Sequence, residues 1–358
     1  MNKKILLTPG PVNISKDLKE RISNFSDMCH REQRYKDLAK RVKEKLSLIY
    51  HCNEELEVAL LNGSGTTAIE AMVRSFGKNK SNLVIINGVY GNRIYSILKD
   101  TECKSAWSIT AKNHWFTKEE IFKKVRDYTL DVDNVFIIHH ETTTGVLNDI
   151  NEISKYIKIC NDKIKVFADC TSSFGAEEIN WSYLDGISFS SNKCIESIPG
   201  VAVVMYKSKL KDFIISSGEL TNLKKYWDDA IPYTPNTLAV YVLDRALDIL
   251  NGCYNVRQAT YIQKSKIIKK ISLETIIPEE ENSSFLTTFR AQYSITEYER
   301  YMYENGFVIY NMNNGMNNCF RISVMGNIIE ADLHDFVKLT NEFINQNNNQ
   351  YISDINFR

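Results

Sequence analysis

Short apolar runs and longer amphipathic ones alternate along the first two thirds of the chain. "LVIIN" (residues 83–87), "NVFIIHH" (134–140), "IKVFAD" (164–169), "GISFS" (186–190) and "VAVVMY" (201–206) are short, β-branched and almost continuously apolar. Runs of this kind suit strands of a parallel sheet, which are buried on both faces. Between them the spacing changes to that of a helix. In "SGTTAIEAMVRSF", Ile69, Met72, Val73 and Phe76 fall at i, i+3, i+4 and i+7 and form one apolar stripe. Residues 150–160 and 236–250 also read as helices. Strands alternating with helices predict an α/β fold with a mostly parallel sheet.

The pattern changes near residue 252. A lysine-rich helix over about 253–272 is followed by strand-like "FLTTF", "GFVIY" and "CFRISV", then by a helix from about Asp332 to Ile344. This predicts a smaller α+β domain. The expected division is an N-terminal segment 1–14 that packs at the functional site, a large domain 15–251, a small domain 252–345 and a solvated, frayed Asn-rich tail 346–358. A length of 358 residues agrees with two domains at about 150 residues each.

Lys plus Arg equals Asp plus Glu, 44 of each. The balance argues against a general nucleic-acid or membrane-surface binder. No apolar run approaches the length of a membrane span, and the three apolar residues after Lys4 are too few for a signal-peptide core. The eight cysteines are scattered without a C-x-x-C, and the six histidines form no ligand spacing with them. The expectation is a cytoplasmic protein with reduced thiols and no metal site.

Three stretches carry candidate chemistry. "NGSGTTAIEAM" places small and hydroxylated residues at a helix start, where unpaired N–H groups and the positive dipole end suit a phosphate. An ordinary N-cap would look the same. "VFADC" ends an apolar strand on Asp169, and ligands of open α/β sheets sit at the carboxyl ends of strands. A carboxylate capping the following turn is the plainer alternative. In "SFSSNKCIESIPG", Lys193 lies between two buried strands. A lysine in low dielectric becomes a neutral nucleophile. A phosphate cradle, a carboxylate and a buried lysine are together what pyridoxal phosphate requires.

With "LLTPGPVNIS", "CHRE", "GVYGNR", "HETTTGVLNDI", "YTPNT" and "CFRISVMG" added in order, the chain resembles the class V aminotransferases among the fold-type I pyridoxal-phosphate enzymes. Within them it is similar to the branch that acts on 2-aminoethylphosphonate and pyruvate. The resemblance implies that Lys193 binds the cofactor covalently and that Asp169 pairs with its pyridine nitrogen. It implies that Ser64, Gly65 and Thr66 hold the phosphate, with Asn192 a further candidate. Tyr90 stacks on the ring, and Thr143 lies beside the ring's phenolic oxygen. Thr234 reaches the phosphate of a neighbouring subunit, which makes the protein a homodimer with active sites at the interface. Arg321 receives the anionic group of the substrate. His30, Arg31 and Glu32 are candidates for shaping the substrate entrance. The partners implied are a small-molecule amino donor and a 2-oxo acid acceptor. Two alternatives stay open: a class V relative using serine or alanine with glyoxylate, and a non-catalytic α/β protein in which "NGSGTT" holds some other phosphate.

Overall fold

The structure, a computed structural model, describes residues 4–112, 115–215, 218–250, 252–311 and 318–356. Its centre is a seven-stranded sheet. The strands are β1 (Leu56–Gly63), β2 (Ser81–Ile86), β3 (Ser105–Thr110), β4 (Asn134–Ile138), β5 (Lys165–Asp169), β6 (Gly186–Ser190) and β7 (Gly200–Lys207). They lie in the order β1-β7-β6-β5-β4-β2-β3. β7 is antiparallel to both neighbours, and the other pairings are parallel.

The five strands read from continuous apolarity are all present. The two that this criterion does not find, β1 and β3, are the edges of the sheet. An edge strand is half solvated, so its apolar run is broken, as in "SAWSIT" with mostly partly exposed positions. Inner strands alternate their side chains between two cores. Leu83, Ile85, Val135, Ile137, Val166 and Ala168 pack on one face, and Val84, Ile86, Phe136, Ile138 and Phe167 on the other.

The small domain carries a three-stranded antiparallel sheet with β10 in the middle: β8 (Leu286–Arg290), β9 (Tyr310–Asn311) and β10 (Cys319–Ser323). It packs with the helix Tyr254–Ile268 and the last helix, Glu330–Asn356. That last helix continues through the Asn-rich stretch expected to be frayed. Residues 5–6 join this domain by pairing in parallel with residues 307–308.

One edge of the large sheet matters for chemistry. β1, β4, β5 and β6 end there, and antiparallel β7 begins there, so Gly63 faces Gly200 across the ladder. The connection from β6 to β7, residues 191–199, therefore lies at the carboxyl ends of the parallel strands, where ligands bind in open α/β sheets.

Candidate active site

A cavity of about 160 Å³ opens at that edge, and it is lined by Ser64, Gly65, Thr66, Tyr90, Asp169, Asn192 and Lys193. Residues far apart in sequence thus meet in one place, as the sequence motifs require. Arg93, His140, Thr142, Thr171 and Ser172 complete the wall.

Ser64 is the N-cap of the helix α1 (Gly65–Gly77), and its backbone N–H donates to Thr67 Oγ1 at 3.2 Å. The first turn of α1 points its free N–H groups at the cavity. Gly65 allows a close approach: a Cβ there would lie 2.5 Å from Thr171 Cγ2. Thr171 in turn donates from its backbone N (2.9 Å) and its hydroxyl (2.5 Å) to Asp169 Oδ1, and Ser188 Oγ adds a third donor at 3.4 Å. Among the described residues no donor reaches Oδ2. Burial pushes the Asp169 carboxyl up to about 6, against the hydrogen bonds of Thr171 and Ser188. A buried carboxylate with one oxygen uncommitted suits a cationic partner.

Lys193 sits in the β6–β7 connection, where Glu196 N bonds Lys193 O and Arg257 Nη1 bonds Cys194 O. Its amine donates to Pro9 O at 2.6 Å. Burial pulls Lys193 down to about 8, and the nearby Cys194 and Asp169 oppose that shift. The neutral amine is therefore accessible near neutral pH. Asn192 accepts from Ser190 Oγ at 3.0 Å beside it.

Tyr90 opens the helix α2 (Val89–Lys99), and the guanidinium of Arg93 lies 4.9 Å from its ring centre. Arg93 also donates to Thr66 Oγ1 at 2.8 Å, which joins the α1 and α2 starts. The α2 start is held by Glu141, a fully buried carboxylate that accepts from Tyr90 N (3.0 Å) and Gly91 N (3.2 Å). Burial raises its pKa, while its hydrogen bonds with Thr143, Gly91 and Tyr90 oppose that. Replacing Glu141 by Ala leaves these buried donors unpaired and is expected to destabilise the protein by about 2–3 kcal/mol. Chemical denaturation measures this, and Tyr90 would leave the cavity wall with it.

Thr143 is placed differently from the expectation. Its hydroxyl is committed to Glu141 Oε1 and to Val89 N, and the residue that lines the cavity is Thr142. In the "ETTTG" turn the acidic residue draws Thr143 back towards α2 and leaves its neighbour facing the ligand space.

Arg321 is the central residue of β10 and is 7% exposed. It does not line the cavity itself. Its Nη1 donates to Thr142 O, which ties it to the cavity wall, and its buried Nε has no partner among the described residues. A buried guanidinium with a free N–H suits an anion that brings two oxygens. Its charge reaches the cavity, since it helps to hold down both Lys193 and His140.

His140 was not legible as a site residue from sequence. Burial pulls it well below the usual histidine range, so the ring is neutral. Its Nδ1 lies 2.9 Å from Ser172 Oγ, whose own proton goes to His140 O at 3.1 Å. Nδ1 therefore carries the ring proton. The signal available in sequence was its place two residues past a strand end.

Thr234 lies away from this cavity. It is exposed, and its carbonyl accepts from Asn62 Nδ2 at 2.6 Å. His30 and Arg31 line a separate cleft of about 640 Å³, together with Asn62, Tyr233 and Pro235.

The donor set fits pyridoxal phosphate. A helix N-terminus faces one part of the cavity, Asp169 Oδ2 offers a negative partner for a protonated ring nitrogen, and Lys193 offers an amine. Buried nitrogens on Arg321 and His140 that have no partner among the described residues add unspent hydrogen-bonding capacity nearby.

Comparison with known proteins agrees with this reading. Residues 13–309 match the family model Aminotransferase class-V. A bifunctional phosphonoacetaldehyde hydrolase/aminoethylphosphonate transaminase of Clostridioides difficile is 30% identical over 96% of this chain, which spans 57% of that relative's length. A 2-aminoethylphosphonate–pyruvate transaminase of Lysinibacillus sphaericus is 27% identical, over 96% of this chain and 98% of its own. The crystal structure of a subgroup IV aspartate aminotransferase from Thermus thermophilus superposes with a TM-score of 0.85 at 19% identity, covering 96% of this chain and 99% of that one. Fold, cavity and family model converge: the chain belongs to the class V aminotransferases, pyridoxal-phosphate enzymes of fold-type I.

Proposed function

We propose that the protein transfers the amino group of 2-aminoethylphosphonate to pyruvate, giving phosphonoacetaldehyde and alanine, or runs the same reaction in reverse. The observation that carries amino transfer is the pairing, in one cavity, of a buried amine at Lys193 with a buried carboxylate at Asp169. The donor and acceptor are supported by the names of relatives that match along nearly the whole chain.

Bound pyridoxal phosphate supplies the electron sink that lets a carbon–hydrogen bond beside nitrogen break, and it stores the amino group between the two halves of the reaction. The chain's own residues do the rest. Ser64, Gly65 and Thr66 would hold the phosphate by backbone N–H groups, with Arg93 and Asn192 beside them. Asp169 Oδ2 would pair with the ring nitrogen and favour its protonated form, and Tyr90, on the cavity wall, would cover the ring. Lys193 Nζ takes the proton from the amine-bearing carbon of the donor and delivers one to the corresponding carbon of the acceptor. Arg321 binds the phosphonate in one half and the carboxylate in the other, because its planar fork accepts both.

Arg321→Ala is expected to lower kcat/KM for both substrates by about 100-fold or more, chiefly through KM. Arg321→Lys recovers little of it, because a point charge cannot reproduce the fork. A homodimer belongs to the same reading, with Thr234 of one subunit reaching the phosphate of the other; its surface position supports this. So does a cytoplasmic location, supported by eight scattered cysteines that form no disulfide among the described residues; no described helix is long and apolar enough to cross a membrane.

The donor assignment is tested by alanine production from pyruvate with a panel of amines. The reading expects 2-aminoethylphosphonate to exceed serine and other amino acids by orders of magnitude in kcat/KM. Serine as the preferred donor would keep the family and overturn the substrate.

A further inference from the structure

We propose that the loop of residues 6–13 is a receiver for the amine of Lys193, with the Pro9 carbonyl holding that group at one fixed position whenever it is free. The inference rests on the reading of Lys193 as the group that moves the proton.

The contact is direct, Nζ to Pro9 O at 2.6 Å. The loop is shaped around the side chain. Gly10 has φ +127°, and a Cβ there would stand 2.5 Å from Lys193 Nζ, 2.6 Å from Cδ and 2.8 Å from Cε. Only glycine combines that backbone with space for the lysine.

The loop is also built to stay in place. The Asn13 side chain accepts from Leu6 N (3.2 Å) and donates to Leu6 O (2.9 Å), closing the loop on itself. Thr8 Oγ1 donates to Pro11 O at 2.9 Å inside it. Outside it, Leu7 N donates to Val308 O (2.9 Å), Ser323 N to Leu7 O (3.0 Å) and Asn327 N to Asn13 O (2.7 Å). Leu7 and Val12 are buried in the small-domain core, which also includes Cys194, the residue after the lysine. Ser323 lies on β10, two residues from Arg321. The loop that carries the acceptor for the amine is thus hydrogen-bonded to the strand that carries the arginine for the substrate anion.

A single carbonyl acceptor has a chemical consequence. It takes one N–H of the neutral amine and leaves the lone pair free to accept a proton from carbon. Once the amine is protonated the same carbonyl stabilises the ammonium, since a charged donor gains more from the bond than a neutral one. Pro9 is a positioning residue that acts through Lys193. Weakening its carbonyl favours the neutral amine and loosens the base.

The test alters that oxygen alone. Cys29 allows a synthetic segment 1–28 to be ligated to residues 29–358, with the peptide bond between Pro9 and Gly10 made as an ester. An ester carbonyl is a poorer acceptor of the same shape, and Gly10 N donates no backbone hydrogen bond among the described residues. The pH dependence of Lys193 reductive methylation is read by peptide mass spectrometry on the full chain freed of cofactor. An all-amide chain assembled in the same way is the reference.

The proposal expects the ester to move the midpoint down by about half a unit or more from its reference near 8. It also expects kcat to fall about 3- to 10-fold with KM for the donor unchanged. A purely structural loop would alter thermal stability and leave the midpoint in place, and an unmoved midpoint overturns the proposal. If the ligated chain does not refold, recombinant Gly10→Ala decides. A folded Gly10→Ala variant with wild-type methylation profile and wild-type kcat would equally end it. The midpoint does not depend on the substrate, so failure of the 2-aminoethylphosphonate assignment leaves this test intact.

Discussion

Lys193→Ala is expected to lower turnover by about 10⁴-fold or more while the fold is retained. The variant loses both the covalent attachment and the proton carrier, and either alone is worth several orders of magnitude. A stability signature should accompany it. Burial lowers Lys193 from 10.5 to about 8. For a base whose folded pKa is depressed, the penalty is fully present below about 8 and disappears as pH rises through 10.5. Its size is on the order of 3 kcal/mol, at about 1.4 kcal/mol per pH unit. Relative to the alanine variant, the wild-type protein free of cofactor should therefore gain stability between pH 8 and 10.5. Thermal melts of both proteins across that range measure it. Parallel curves would mean that Lys193 is not buried as an amine.

The second large effect is expected at Asp169. Asp169→Asn should reduce kcat by about 10²–10³-fold, the usual scale for removing an electrostatic partner of charge in the reacting system. Asparagine is nearly isosteric and keeps an oxygen for the Thr171 donors, so the loss is not one of packing. Here too the pH dependence has a sign. Burial raises this carboxyl from 3.8 to about 6. An acid with a raised folded pKa binds more protons folded than unfolded, so its contribution falls as pH rises from 3.8 to 6 and stays low above that. In the absence of cofactor the Asn variant should gain on wild type across that window. Added pyridoxal phosphate should reverse the difference at neutral pH, because a ring cation beside Asp169 favours the ionised form. If the cofactor binds both proteins equally well, Asp169 has a different partner.

The legible parts of the site are those set by a short local pattern. Lys193 was out of place between two apolar runs, Asp169 ended one, and Ser64–Thr66 opened an amphipathic helix. Each signal needs only neighbours in sequence. Arg93, Glu141 and Thr171 work through tertiary contacts and leave no such trace, and His140 leaves only its place two residues past a strand end. Glu141 holds the start of a helix about fifty residues earlier in the chain. Thr171 matters because Gly65 packs against it. The Thr142 and Thr143 placement shows the limit of a motif: "ETTTG" marks the turn, but the competition of Glu141 for one hydroxyl decides which threonine faces the ligand. The edge strands β1 and β3 were hidden for a related reason, since half-solvated strands lack a continuous apolar run. The Asn-rich end of the last helix has a composition that reads as tail, yet it continues a helix whose earlier turns are anchored by Leu333 and Phe336 in the small-domain core.

The most direct test of the whole account is a half-reaction without acceptor. The purified protein is loaded with pyridoxal phosphate, and its visible absorption is followed as 2-aminoethylphosphonate is added in stoichiometric steps. The account predicts a visible band that depends on Lys193, is bleached by about one equivalent of the phosphonate per site, and returns when pyruvate is added. A band that ignores 2-aminoethylphosphonate but is bleached by serine or alanine would contradict the substrate. No band at all, with Lys193 unmodified after borohydride reduction, would contradict the central claim that Lys193 and Asp169 together hold the cofactor.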